Sequence, residues 1–298
     1  PLFRQRLLLL TNSEEFFFYL PFSSIKMHFY EIFMKCKITT WNVNSLKVRK
    51  PHVLQFLQEE SPDILCLQEL KQPTEEVDIR AFAELGYSTE VFGQKTYNGV
   101  ATLTKKSVFS ECTDIIKNLP NFEDPQSRLL AMTVLLDGLP LRIVNGYFPN
   151  GETTESEKFP YKLKWLDNLT AWLEKELKQY PNLVLLGDFN IAPEDIDAKH
   201  PEEWKHTVLC VPEVRQKFKN LLNLGLVDSF RQHDQPEKIY SWWDYRMKAF
   251  QRNLGLRIDH ILISEPLTKF NRSVVVNKNF RGLERPSDHA PVTLTLEL

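Results

Sequence analysis

Long apolar runs that stop abruptly at polar residues recur along this chain. The sharpest is Leu183-Val184-Leu185-Leu186, which ends at Gly187 and is followed by Asp188-Phe189-Asn190. An unbroken run of that length reads as a strand buried on both faces. If strand alternation persists past Gly187, Asp188 and Asn190 leave the same face at its carboxyl end. Residues 37–43 and 63–70 repeat the pattern. Asn42 and Asn44 stand at the end of the first, Gln68 and Glu69 near the end of the second. A glutamate in an apolar run needs a partner or a route to water.

Other segments fill in the architecture. Val53, Leu54 and Leu57 predict a helix over 51–60 with Pro51 at its first position, preceded by a basic turn at 45–50. A short helix over 78–85 and strands over 87–92 and 99–105 follow. Residues 114–128 lack periodicity and read as a loop. Asp137-Gly138 marks a hairpin between strands 129–136 and 141–147, which opens into the polar, aromatic loop 145–151. Phe159, Leu163, Leu166, Leu169, Trp172, Leu173 and Leu177 make one face of a helix over 159–179, with Trp172 in the core. Residues 192–212 are irregular, and 213–224 are helical up to Gly225. Residues 239–250 mix aromatic and basic side chains. Strands over 256–264, which carries Asp259, 273–276 and 292–298 complete the chain, the last preceded by Asp288-His289. With no internal repeat, this order fits a layered α/β domain with mixed sheets.

Composition narrows the picture. The chain has 298 residues, 42% hydrophobic and 26% charged, enough for a sizeable core in one large domain or two modest ones. A net charge of −2 requires any nucleic-acid binding to use a local basic face. Lys47, Arg49, Lys50, Arg231, Arg246, Lys248 and Arg252 are candidates for it. Four widely spaced cysteines match no zinc pattern, and Cys36 and Cys66 read as buried free thiols in a reducing compartment. Residues 1–33 do not resemble the rest. Their apolar stretches are too short to span a membrane, and their acidic residues do not suit a presequence. The expected domain is 34–298, with 1–33 an extension, in a bacterial cytoplasm, with no membrane and no obligatory protein partner.

Six strand ends carry polar groups: Asn42/Asn44, Glu69, Tyr147/Asn150, Asp188/Asn190, Asp259 and Asp288/His289. Ligands in layered sheet folds gather at such ends. Oxygen donors without a cysteine–histidine cluster imply Mg²⁺ or Mn²⁺ rather than zinc. Carboxylates, histidine and amides together suit metal-assisted hydrolysis of a phosphodiester.

The segments WNVNSLKVR, LCLQELK, NGYFPNGE, LLGDFN, YSWWDYR, GLRIDHIL and RPSDHAPV, in this order, resemble the exonuclease III/apurinic endonuclease family of the endonuclease/exonuclease/phosphatase superfamily. The resemblance runs from Met34 to the C-terminus. It implies a four-layer α/β sandwich of two mixed sheets packed face to face between helices. It implies a Mg²⁺-dependent DNA repair enzyme hydrolysing the P–O3′ bond of double-stranded DNA at abasic sites or 3′ ends. It also implies metal binding by Asn42 and Glu69, with Asp288 close to the metal. Tyr147, Asp188, Asn190, Asp259 and His289 become catalytic, with Asp259 orienting His289 and Asn190 holding the phosphate. Asn44 and Asn150 become substrate contacts. Trp242, Leu256 and Ile258 match the apolar pocket for a flipped-out abasic sugar. Whether Asp188 or His289 activates the water stays open.

At 195–204 the chain carries His200-Pro201 where some family members have smaller, glycine-containing loops. A bulky imidazole backed by proline would obstruct a continuous strand, so 3′–5′ exonuclease and 3′-end processing are expected. The alternative is incision at internal abasic sites as the main activity; a more distant one is hydrolysis of phosphoinositides or small phosphoesters.

Overall fold

The computed structural model describes residues 35–236 and 238–298, so the reading of residues 1–33 lies outside it. In chain order the elements are β1 (Lys35–Asn42), α1 (Leu46–Glu59), β2 (Ile64–Gln68), α2 (Ile79–Glu84), β3 (Tyr87–Phe92), β4 (Val100–Lys105) and β5 (Cys112–Lys117). Then come β6 (Leu129–Leu136), β7 (Leu139–Tyr147), α3 (Lys158–Gln179), β8 (Leu183–Asp188), α4 (Pro201–Trp204), α5 (Pro212–Leu222) and β9 (Leu226–Asp228). The chain ends with β10 (Trp242–Trp243), β11 (Gly255–Leu256), β12 (Asp259–Ser264), β13 (Asn271–Val276) and β14 (Val292–Glu297).

Two six-stranded sheets carry the fold, ordered β13-β14-β1-β2-β4-β3 and β5-β6-β7-β8-β12-β9. Each contains one parallel pair, β1 with β2 and β7 with β8, and each pair is joined by a crossover through a helix, α1 or α3. The remaining pairs are antiparallel, so both sheets are mixed, as expected. Cys36, Ile38, Cys66, Leu130, Met132, Val184, Leu186, Ile261 and Leu294 form the core between the sheets. Trp41, Leu65 and Leu67 face α1 and α2, while Leu183, Leu185 and Leu262 face α3 and α5. Helices, sheet, sheet and helices make four layers. Cys36 and Cys66 are buried and free, and Trp172 is core.

Four local readings change. The first helix begins at Leu46, and Pro51 lies inside it. Proline there forfeits one backbone bond, but the turn that precedes it is helical all the same. The start of the stretch read as a loop belongs to β5, an exposed edge strand with a bulge between Thr113 and Ile116, which erases the apolar alternation. The strand read over 256–264 is broken at Arg257-Ile258. Leu256 pairs with Trp242 in a two-stranded ribbon, whereas Asp259 pairs with Asp188 in the main sheet. β9 is a short addition at the sheet edge.

Candidate active site

Strand parity assembles the site. On β1, Cys36 and Ile38 face the opposite sheet, and Asn42 shares their parity. On β8 the same face carries Val184, Leu186 and Asp188; on β12 it carries Asp259, Ile261 and Ile263. The inter-sheet core therefore ends in a polar floor. Gln68 Nε2 donates to Asn145 Oδ1 at 2.8 Å and to Thr40 Oγ1 at 2.9 Å, tying the sheets together beneath the cluster. Gly187 is required where β8 passes β7: its φ is +150°, and a Cβ would lie 1.8 Å from the Gly146 carbonyl oxygen.

Asp188 is the hub. It is 1% exposed, its Oδ2 accepts from Asn42 Nδ2 at 2.9 Å, and its Oδ1 accepts from the Asn190 backbone N–H at 2.9 Å. Asn42 Nδ2 also donates to Glu69 Oε1 at 2.8 Å, and His289 Nε2 lies 3.7 Å from Asp188 Oδ2. On its other side the imidazole Nδ1 donates to both Asp259 oxygens, at 2.9 and 3.1 Å. Burial raises the Asp188 carboxyl to about 7, with Asp259 and Glu69 adding to the rise and His289 opposing it. Burial alone would lower His289; Asp259 and Asp188 outweigh it and hold the imidazole up at about 10. The imidazole is thus favoured in its charged form, and the Asp188 carboxyl holds a proton more readily than an ordinary carboxyl.

Ligand atoms of Glu69, Asp188 and His289 lie within 4.8 Å of one another. Of the two carboxylates expected at the metal, Glu69 belongs to this group and Asp288 does not. The Asn42 amide nitrogen faces the carboxylates, while its oxygen accepts from the Asn44 backbone N–H at 2.9 Å. Asp288 is held by Asn44 Nδ2 at 2.9 Å and Trp242 Nε1 at 3.0 Å. Its burial would raise the carboxyl, but His289 and these two donors keep it below the ordinary range. The site fits a hard cation by its donors: two carboxylates, with Lys71 Nζ standing 2.9 Å from Glu69 Oε2 as a positive charge.

Around this core, Asn150 Nδ2 donates to Asn190 Oδ1 at 2.8 Å, and Asn190 Nδ2 donates to the Phe148 carbonyl at 3.1 Å. Tyr147 stands at the end of β7 with the Arg128 guanidinium 5.0 Å from its ring centre. Burial, Glu69 and Asp188 push its phenol well above the usual range, so it remains a donor. Trp242 is half-buried, with Trp204 packed edge-on at 5.9 Å, whereas Leu256 and Ile258 are buried beneath them. Exposed His200 caps α4 and lines a cavity of about 450 Å³ with Trp204, Trp242 and Arg246. Trp243 is core, as its neighbours Phe250 and Tyr240 indicate.

Sequence reasoning quoted Lys71 without assigning it, and missed Arg128 and Lys162. Lys162 falls on the apolar stripe of α3, three residues after Phe159 and four before Leu166. A charge at core spacing was its signal.

Residues 39–289 match the Endonuclease/Exonuclease/phosphatase family, and the chain belongs to it. It is 38% identical over 266 residues to exodeoxyribonuclease III of Haemophilus influenzae, covering 86% of this chain and 98% of that protein. The 3′-5′ exonuclease of Neisseria meningitidis is 46% identical with a TM-score of 0.83, over 88% of this chain and 100% of that one. An AP endonuclease from Archaeoglobus fulgidus is 35% identical with a TM-score of 0.82, over the same shares. The chain is thus an exonuclease III-type DNA repair nuclease, in a family of metal-dependent nucleases. Among the described residues, no helix is long and apolar enough to cross a membrane.

Proposed function

We propose that this enzyme hydrolyses the P–O3′ bond at 3′ ends of double-stranded DNA with Mg²⁺, Mn²⁺ being an acceptable substitute. One observation carries the chemistry: buried Asp188 stands 3.7 Å from His289 Nε2, and the opposite ring nitrogen of that histidine is held at 2.9 Å by Asp259. Asp188 takes a proton from the attacking water as oxygen bonds to phosphorus and the 3′ oxygen leaves with its electron pair. Charged His289 donates to a phosphate oxygen, and Asn190 and Tyr147 add hydrogen bonds that strengthen as charge develops. Glu69 would hold the metal, which when bound would supply charge neutralisation at the phosphate and the departing alkoxide. Asn42 orients both carboxylates, and Asp288 fixes Asn44 and Trp242 beside them.

The preference for 3′ ends over internal abasic sites is supported by His200, exposed at the cap of α4, and by Trp204 over Trp242. Trp242, Leu256 and Ile258 would accept a flipped sugar only if Trp204 withdrew. The 46% identity to a 3′-5′ exonuclease supports the same preference. The catalytic unit in this reading is residues 34–298, working in a bacterial cytoplasm.

The test is a duplex with a recessed, labelled 3′ end. Mg²⁺ should release nucleotides, EDTA should stop release, and added Mg²⁺ should restore it. Undiminished release in excess EDTA would remove the metal from the mechanism.

A further inference from the structure

Lys162 is fully buried on the inward face of α3. Its Nζ donates to three backbone carbonyls, of Asn150 at 3.0 Å, Asn190 at 2.7 Å and Val208 at 2.8 Å. No carboxylate lies within ion-pair distance of it among the described residues. Other fully buried cations differ: Arg142 pairs with Glu176, and Arg257 pairs with Asp197 and Asp228. Burial without a counter-ion disfavours the ammonium and lowers the Lys162 amine to about 7, and the three acceptors are what favour the charged form there. Only the ammonium form has three N–H groups; a neutral amine would turn a lone pair toward one of the carbonyls.

The three carbonyls come from three separate parts of the chain. Asn150 and Asn190 belong to loops after β7 and β8, and their side-chain amides bond each other. Val208 lies in the segment that follows α4, the helix that begins after His200 and ends at Trp204. Gly151 leaves room for this convergence. Its φ is +95°, and a Cβ there would approach Lys162 Cδ to 3.1 Å and Val208 Cβ to 3.4 Å.

We propose that Lys162 is a positioning residue for cleavage: its three bonds hold the backbone at Asn150 and Asn190, and so aim the Asn190 amide at the scissile phosphate. This rests on the reading of Asn190 as the amide that holds that phosphate. Because Lys162 is buried and touches no substrate, its effect should pass through Asn190 and appear in kcat rather than KM.

The test is a double-mutant cycle on the recessed 3′-end duplex with Mg²⁺, with activity expressed per folded molecule. Asn190→Ala is expected to lower kcat by ~10²-fold or more, as loss of a transition-state donor does. Lys162→Met should lower kcat by roughly tenfold or more with KM for DNA nearly unchanged, and the double variant should be little worse than Asn190→Ala alone. Additive losses, or a full kcat in Lys162→Met, would overturn the proposal. An unaffected Asn190→Ala would instead remove the reading beneath it. Lys162→Gln keeps two donors and serves if the methionine variant does not fold. An intermediate kcat is expected of it. Failure of this variant also to fold would assign Lys162 to stability alone and overturn the positioning role.

Discussion

Asn42, at the end of β1 in one sheet, donates a 2.9 Å hydrogen bond to Asp188, at the end of β8 in the other. The same amide nitrogen reaches Glu69, so one side chain holds two carboxylates in place across the inter-sheet cleft. Asn42→Ala should leave the buried Asp188 and the half-buried Glu69 carboxylates repelling each other. We expect kcat to fall by ~10- to 100-fold and the Mg²⁺ concentration for half-maximal activity to rise, since removed supporting partners weaken metal sites to that degree. A metal titration of cleavage by the variant measures both. Unchanged values would reduce Asn42 to a structural residue.

Asp188→Asn and His289→Ala should each abolish turnover, by ~10³-fold or more, since each removes a group that moves or balances charge. DNA binding, followed by fluorescence anisotropy, should stay within a few-fold of wild type because neither residue is among the basic side chains read as phosphate contacts. Retained turnover in either variant, once folding is verified by thermal denaturation, would sink the assigned roles.

The strands and the polar groups at their ends were legible because both rest on short-range patterns. Asp188 and Asn190 after an apolar run, and Asp259 with its β12 partners, follow from alternation alone. What escaped depends on partners distant in sequence. β5 is an edge strand whose exposure removes the apolar signature, and α1 continues through a proline usually taken as a boundary. The inward lysine of α3 gave no role from sequence, because its acceptors lie in loops up to 46 residues away. The turning of the Asn42 nitrogen toward Glu69 and Asp188 is likewise a product of packing two sheets together.

His260 makes stability depend on acidity. It is buried, its Nε2 lies 2.8 Å from the Ile191 carbonyl oxygen and its Nδ1 2.9 Å from Arg257 Nη1, which suits the neutral ring. Burial and then Arg257 lower its pKa from 6.5 to about 3. Between those values the unfolded chain binds more protons, so this group makes stability rise with pH and fall on acidification below 6.5. Urea unfolding of wild type at pH 6.5 and 4.5 should show a loss on the order of 2 kcal/mol that His260→Gln does not share. Equal losses in both proteins would contradict it.

His200→Gly removes the imidazole beside the Trp242 cavity and loosens the start of α4. Incision at internal abasic sites should rise at least severalfold while trimming of recessed ends stays within about twofold, since one blocking side chain is being removed. An unchanged incision rate would leave His200 an ordinary surface residue.

The most direct measurement is cleavage by the wild-type enzyme of two labelled duplexes, side by side in Mg²⁺. One carries an internal abasic analogue, the other a recessed 3′ end. Rapid shortening of the second with little incision of the first is the expected result. Efficient incision of the first would contradict the 3′-end preference and make this an apurinic endonuclease in practice.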